Sequence, residues 1–413
     1  MQRFRFVHTA DLHIDSPFKG LAALNEVVAE RLREATYQAF RNVVSLCKEV
    51  QADFLLVSGD VYDGVDRSPR AQLRFHRGLT ELAEEGIESF VAHGNHDPLS
   101  SRFLSISWPD AVHVFGEEPS WAIAARDGEP LADIQGISFP ESSVTENLAL
   151  RFSSPRTEDL FNIGVLHCNV GGIEGHDNYS PCTLDDLKKV GMDYWALGHI
   201  HARQTVLDGT PTVAYPGATQ GRDPSEAEPH GCLVVDVGPD RSITMQFRPL
   251  DVVRWECREV DVDGVVGIDA LYERIVETLE NARAEAQGRD VICRLTLIGH
   301  SPLYGELARG SAVDSLVEEL RAGFEADSPW VWVERLSNRT RPEVDLEARA
   351  KQDDFLGALL RRAQGADPTG FQEVLSEVFS GRRDRLPYPD ENEIRQWIEE
   401  AQIHLADLLE PEG

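Results

Sequence analysis

"DFLLVSGDVYDGVDRSPRAQLRFHRGLTELAEEGIESFVAHGNHD", residues 53–97, decides the fold. It opens on a short apolar run, DFLLVSGD, that ends in Gly59 and Asp60. A run this short, closed by a glycine turn, reads as a buried strand. Residues 69–85 then carry apolar side chains at three- and four-residue spacing, as a helix does. Pro69 suits a first helical turn and Gly86 the position just past the last. IESFVAHGNHD, residues 87–97, is a second buried strand entering a second glycine turn. Strand, helix and strand in this order predict parallel strands joined by a crossover helix.

The pattern extends in both directions. RFRFV (3–7) reads as a strand and residues 21–50 as a long amphipathic helix. From about residue 110 the strands crowd together: AVHVF, WAIAA, LADIQGISF, FNIGVLHC, DYWALGHIH, TPTVAYPG, GCLVVDVG and SITMQFRPL. So many strands require a mixed or a second sheet. The expected fold is α/β: a two-sheet sandwich flanked by helices over residues 1–250. Residues 251–338 alternate strand and helix as a small α+β cap domain. Residues 339–413 read as a helical C-terminal segment, with short amphipathic helices at 353–365, 371–381 and 391–410. On the last of these Ile394, Trp397, Ile398, Leu405 and Leu408 fall along one face.

Composition sets bounds on function. A chain of 413 residues, 41% of them apolar, can bury a sizeable core and is expected to hold two or three domains. No apolar run is long enough to span a bilayer, and the N-terminus lacks the pattern of a secretory leader, so a cytoplasmic protein is expected. The cysteines, Cys47, Cys168, Cys182, Cys232, Cys257 and Cys293, are scattered with no CxxC pair. Zinc held by thiolates is therefore not expected. The net charge of −31 by itself argues against nucleic acid. A local basic surface or bound divalent cations would reverse the sign at one site.

Metal-competent residues recur at the carboxyl ends of successive strands. Asp11 and His13 follow FRFV, Asp60 follows FLLVSG, and Asn95 with His96 follows FVAHG. His167 ends IGVL, and His199 with His201 ends YWALG. In open α/β sheets this rim carries the functional crevice. Carboxylate, imidazole and amide oxygens together suit borderline ions such as Mn²⁺, Fe²⁺ or Zn²⁺. The Asp-x-His and His-x-His spacings put both members of a pair on one side of an extended segment. These ligands exceed what one ion needs, and two ions sharing a carboxylate account for the number. A lone strand-terminal histidine is more often packed than metal-bound, and His8, His93 and His113 read that way. The coincidence of five strand ends sets the others apart.

In this order DLH, GD, GNHD, H and GHIH resemble the full motif set of the calcineurin-like metallophosphoesterase superfamily, over roughly residues 6–240. Within it, HTADLHIDSPF (8–18) and YPGATQGRD (215–223) resemble DNA repair exonucleases of the SbcD/YhaO type. Those nucleases partner SMC-like ATPases and carry a small cap followed by helices.

The resemblance implies a metal-dependent DNA exonuclease with two divalent metal ions, Mn²⁺ foremost. One would be held by Asp11, His13, Asp60 and His201, the other by Asp60, Asn95, His167 and His199. Two such ions, ~3.5–4 Å apart, would activate a water to attack the phosphodiester. His96, beside a ligand, is the expected catalytic residue, stabilising the transition state or protonating the leaving group. Asp97 would either orient His96 or cap a helix. Some relatives have a histidine three residues after the shared aspartate; here it is Asp63, so that histidine's role does not carry over. Arg67, Arg70, Arg74 and Arg77 follow the Asp60 motif and read either as DNA phosphate contacts or as a solvated helix face. The implied partners are DNA and an SMC-like ATPase subunit of the SbcC/YhaN type docking on the C-terminal helices, with a homodimer also in view and no membrane. Two other readings stay open. One is a metallophosphoesterase for a small nucleotide or phosphoprotein. The other is a non-catalytic adaptor, disfavoured because a scaffold needs neither the full ligand set nor His96.

Overall fold

The computed structural model describes residues 1–16, 26–64, 68–101, 104, 106–172, 177–308, 310–324, 328–342, 346–366 and 390–409. The helix expected at 371–381, the start of the one expected at 21–50, and Arg67 lie outside the described residues. The chain forms two units, Met1–Glu256 with Arg289–Val291, and Cys257–Gly288 with Ile292–Gly413.

The first unit is an α/β sandwich of two six-stranded sheets. Its strands are β1 (Phe4–Thr9), β2 (Phe54–Ser58), β3 (Glu88–Ala92), β4 (Val112–Val114), β5 (Ser120–Arg126) and β6 (Glu129–Gly136). They continue with β7 (Phe161–His167), β8 (Tyr194–Gly198), β9 (Gln204–Leu207), β10 (Thr212–Tyr215), β11 (Gly231–Val237) and β12 (Ile243–Pro249). One sheet runs β12-β11-β1-β2-β3-β4 and the other β5-β6-β7-β8-β10-β9. β1 to β4 pair in parallel, with β11 antiparallel to β1. β6, β7, β8 and β10 are also parallel, and β5 and β9 close the edges antiparallel. The helices are α1 (Glu26–Glu49), α2 (Pro69–Glu84) and α3 (Leu184–Val190). Ser68 caps α2 through a hydrogen bond from the Ala71 N–H, and Pro69 opens it as expected.

Side-chain alternation explains why the strands read as unbroken apolar runs. Phe4 and Phe6 of β1, Phe54 and Leu56 of β2 and Phe90 of β3 face the other sheet. There they meet Ile134, Phe161, Ile163, Val165 and Tyr194. Val7, Leu55, Val57 and Val91 point the opposite way and pack with Phe40, Val44, Phe75 and Leu79 of α1 and α2. Both faces are therefore covered, as parallel sheets require. The Phe6 and Phe54 rings stack at 5.1 Å, and Tyr194 meets Phe6 edge-on at 5.3 Å. His8 is a core histidine: its Nδ1 lies 2.9 Å from the Tyr194 hydroxyl and its Nε2 3.2 Å from Ser58 Oγ.

Most of a three-stranded sheet falls in the second unit: β13 (Val253–Asp261), β14 (Asp290–Ile298) and β15 (Val331–Asn338), in that spatial order, with the first residues of β13 and β14 counted in the first unit. The helices of the second unit are α4 (Ile268–Glu285), α5 (Tyr304–Leu307), α6 (Ser311–Phe324), α7 (Leu346–Ala350), α8 (Phe355–Gln364) and α9 (Glu391–Leu409). Among the described side chains of α9, Ile394, Gln402, Ile403 and Ala406 are buried and Trp397 is exposed, while the Leu408 side chain lies outside the described residues. Trp397 therefore departs from the single apolar face expected of it. None of the described helices is long and apolar enough to cross a membrane.

Gly164 of β7 has no room for a side chain, because a Cβ there would enter the buried Trp195 ring of β8. Gly164→Ala is expected to lower stability by about 1–3 kcal/mol through overpacking, although alanine would otherwise restrict the unfolded chain favourably. Urea unfolding checks this; an unchanged or raised midpoint would contradict the packing described.

Candidate metal centre

The strand ends of the two sheets meet at one rim. The Asp11 N–H donates to the Gly59 carbonyl (3.1 Å) and the His13 N–H to the Asp60 carbonyl (3.0 Å). The loop after β1 is thereby laced to the loop after β2. His167 and Gly198 are register partners at the ends of β7 and β8. The turns are sharp: Asp11, His13, Asp60 and His199 all have positive φ, between 43° and 102°. Non-glycine residues held there cost roughly 1–3 kcal/mol each, and such strain concentrates at functional sites. Gly59 and Gly94 let the segments close, since a Cβ on Gly59 would strike the His167 ring and one on Gly94 would strike Asp60.

Among the described residues, three overlapping groups have ligand atoms within 4.8 Å of one another: Asp11, His13 and His201; Asp11, Asp60 and His167; and His13, Asp63 and His96. The His13 and His201 Nε2 atoms face each other at 3.3 Å. His167 Nε2 lies 3.0 Å from Asn95 Oδ1 and 3.4 Å from Asp60 Oδ2. His199 sits beside them, its ring centroid 5.3 Å from that of His167 and its backbone N–H donating to the Asp11 carboxylate at 3.1 Å. All the expected ligands are thus brought to one place.

The outer contacts orient these rings. His167 Nδ1 donates to the Ser58 carbonyl (2.9 Å), which turns Nε2 inward. His201 Nδ1 donates to Glu226 Oε1 (2.6 Å), which turns its Nε2 toward His13. His199 Nε2 donates to the Asp177 carbonyl (2.7 Å), so Nδ1 is the atom that could serve a cation.

Electrostatics show what the cluster can hold. Asp60 is 1% exposed. Burial would raise its carboxyl, but His167, His96 and His13 hold it well below the usual range. Burial would lower His167, yet the charge and hydrogen bond of Asp60, with Asp11, raise it to about 9. Burial above all, with Arg222, His201 and His96, drives His13 well down against the pull of Asp60, and its Nδ1 is buried without a hydrogen-bond partner. The carboxylates thus demand positive charge, and a neutral imidazole stands ready beside them. Divalent cations fit this donor set of oxygens and imidazole nitrogens.

His96 lies at the mouth, its side chain 40% exposed. Its Nδ1 donates to Asp63 Oδ1 at 2.6 Å. Burial acts to lower the His96 pKa, but the Asp63 hydrogen bond and the charges of Asp60 and Asp63 raise it. Asp97 does not orient His96. Its Oδ2 accepts from His93 Nδ1 (2.8 Å) and the Val61 N–H (2.9 Å), and its Oδ1 from the Gly94 N–H (2.7 Å). The turn sends it inward, fully buried, to tie the loop after β3 to the loop after β2. Neither Asp63 nor Glu226 was given an orienting role from sequence. Asp63 has only its place three residues after Asp60 as a signal, and Glu226 only its nearness to the QGRD stretch.

Two arginines of α2 are engaged by α1. Arg70 and Arg74 both pair with Glu34 of α1, Arg74 at 2.8 Å, and Arg74 also lies 4.0 Å over the Tyr37 ring. Arg77 is exposed.

Comparison with known proteins agrees with this geometry. Residues 4–203 match the model of the calcineurin-like phosphoesterases, and residues 255–341 match that of the metallophosphoesterase YhaO middle domain. The chain is 36% identical to the uncharacterized metallophosphoesterase YhaO of Bacillus subtilis, over 98% of this chain and 97% of that one. It is 24% identical to a subunit of the nuclease SbcCD of Bacillus subtilis, over 59% of this chain and 68% of the relative. It is also 24% identical to the DNA double-strand break repair protein Mre11 of Methanococcus maripaludis, over 81% and 91%. With a relative of 36% identity along nearly its whole length, the chain belongs to the calcineurin-like metallophosphoesterases.

Proposed function

We propose that this metallophosphoesterase is a DNA exonuclease that uses two divalent ions, Mn²⁺ foremost. The observation that carries the reading is the convergence of Asp11, His13, Asp60, Asn95, His167, His199 and His201 on one buried centre with His96 at its mouth. DNA as substrate is supported by the relatives named as part of a nuclease and as a double-strand break repair protein. Asp11, His13, Asp60 and His201 would hold one ion, and Asp60, Asn95, His167 and His199 the other. Bound there, the ions would supply Lewis-acid polarisation of the phosphate and activation of water.

The chain's own groups do the rest. His96 Nδ1 is committed to Asp63, so a protonated ring presents Nε2–H to the leaving oxygen. On α2 a DNA phosphate would compete with Glu34 for Arg70 and Arg74. By the same reading the cap, 251–338, contacts DNA, and the helices of 339–413 dock an SMC-like ATPase. The net charge of −31 makes the cations of the site, not the protein surface at large, the attraction for phosphate.

The test is hydrolysis of linear duplex DNA, single-stranded DNA and a small phosphodiester with Mn²⁺, beside Asp60→Ala and His96→Ala. Cleavage of DNA from its ends, lost in Asp60→Ala and reduced about 10²–10⁴-fold in His96→Ala, is expected. Turnover of the small ester with no DNA cleavage would overturn the nuclease reading. Asp63→Asn is expected to lower kcat about 10–100-fold with metal content unchanged. Because Asp63 raises the His96 pKa, the acid form is lost at lower pH in this variant, and the high-pH limb of kcat moves down. A wild-type pH profile in Asp63→Asn would contradict the pairing.

A further inference from the structure

We propose that Arg222 is a substrate-contacting residue whose guanidinium binds a non-bridging oxygen of the phosphate undergoing hydrolysis. The inference rests on the reading of the centre as the phosphoester-cleaving site, but not on DNA as the substrate.

Arg222 belongs to the YPGATQGRD stretch, and none of the roles assigned above uses it. Its side chain is 16% exposed, close to the 18% of Asp63. Nη1 lies 3.5 Å from Asp63 Oδ2 and 3.2 Å from Ser16 Oγ. Asp63 thus holds His96 on one oxygen and Arg222 on the other. The Arg222 N–H donates to Glu226 Oε2 (2.6 Å), while Glu226 Oε1 holds His201. Arg222 is tied through one carboxylate to the expected acid and through another to an expected metal ligand.

The loop that carries it is anchored by hydrogen bonds. The buried Gln220 amide donates to the Val253 carbonyl (2.6 Å) and accepts from the Val252 N–H (3.0 Å). The Ala218 N–H donates to the His201 carbonyl (2.9 Å). A guanidinium on such a loop is positioned before any ligand arrives.

Its electrostatics need an anion. A fixed cation beside a centre built for two divalent ions is costly when the ions are in place. Asp63 offsets part of that charge. The Arg222 Nε is buried and has no hydrogen-bond partner. A phosphate seated at the ions would supply both the negative charge and an acceptor, and the planar guanidinium fork matches phosphate oxygens. Lysine at this position would keep the charge and lose the fork.

The test is calorimetric titration of the Mn²⁺-loaded full-length protein with inorganic phosphate, for wild type, Arg222→Gln and Arg222→Lys, with bound metal and melting temperature measured on each. Wild type is expected to bind phosphate, and Arg222→Gln to bind it about tenfold or more weakly, the worth of a charge-assisted hydrogen bond. Phosphate binding within twofold of wild type at equal metal content would overturn the inference, as would a loaded wild type that takes no phosphate. Should Arg222→Gln lose metal, Arg222→Lys decides. Wild-type metal with phosphate binding weakened about threefold or more supports the fork contact, and unchanged binding rejects it. If phosphate binding depends on Arg222 but no DNA is cleaved, the nuclease reading fails and this inference stands.

Discussion

A buried carboxylate governs this structure. Asp60 lies at the end of a central strand, almost without exposure, and surrounding imidazoles keep it ionised. Burying such a charge is costly unless it is paired. The sandwich places the ends of β1, β3, β7 and β8 where their histidines and Asn95 can surround it. The aromatic core between the sheets fixes the distance between those ends. Gly59 and Gly94 allow the last closure, where any side chain would collide.

Around the inner cluster runs a second ring of contacts that sets which atoms face inward. The Ser58 carbonyl aims His167, Glu226 aims His201, and the Asp177 carbonyl aims His199. Asp63 aims His96. Each contact occupies one ring nitrogen and leaves the other toward the centre or its mouth. Ring and cluster meet at Arg222, whose two carboxylate partners are members of that ring.

Much of the fold was legible in the sequence because the governing signals are local. Unbroken apolar runs ending in glycine marked β2 and β3, and Pro69 with Gly86 bounded α2. The residues that converge on the centre were legible because each sits next to such a turn and the x-spaced pairs share one side. α3 was missed because seven residues carry too little periodicity, and the four-residue edge strand β9 was missed for the same reason. Asp97, read as either orienting His96 or capping a helix, instead holds His93 and two backbone N–H groups, because a sharp turn decides which of two neighbours faces the site and spacing does not record that. Asp63 and Glu226 were opaque since their partners lie 33 and 25 residues away. The pairing of Arg70 and Arg74 with Glu34, on another helix 36 and 40 residues off, was equally hidden.

On the proposed reading Asp60 is shared between two ions, one against Asp11, His13 and His201 and the other against Asn95, His167 and His199. The most direct measurement is an anomalous difference map from crystals soaked in Mn²⁺, recorded at the manganese absorption edge. Two peaks flanking the Asp60 carboxylate are expected. A single peak, or peaks away from Asp60, would contradict the claim.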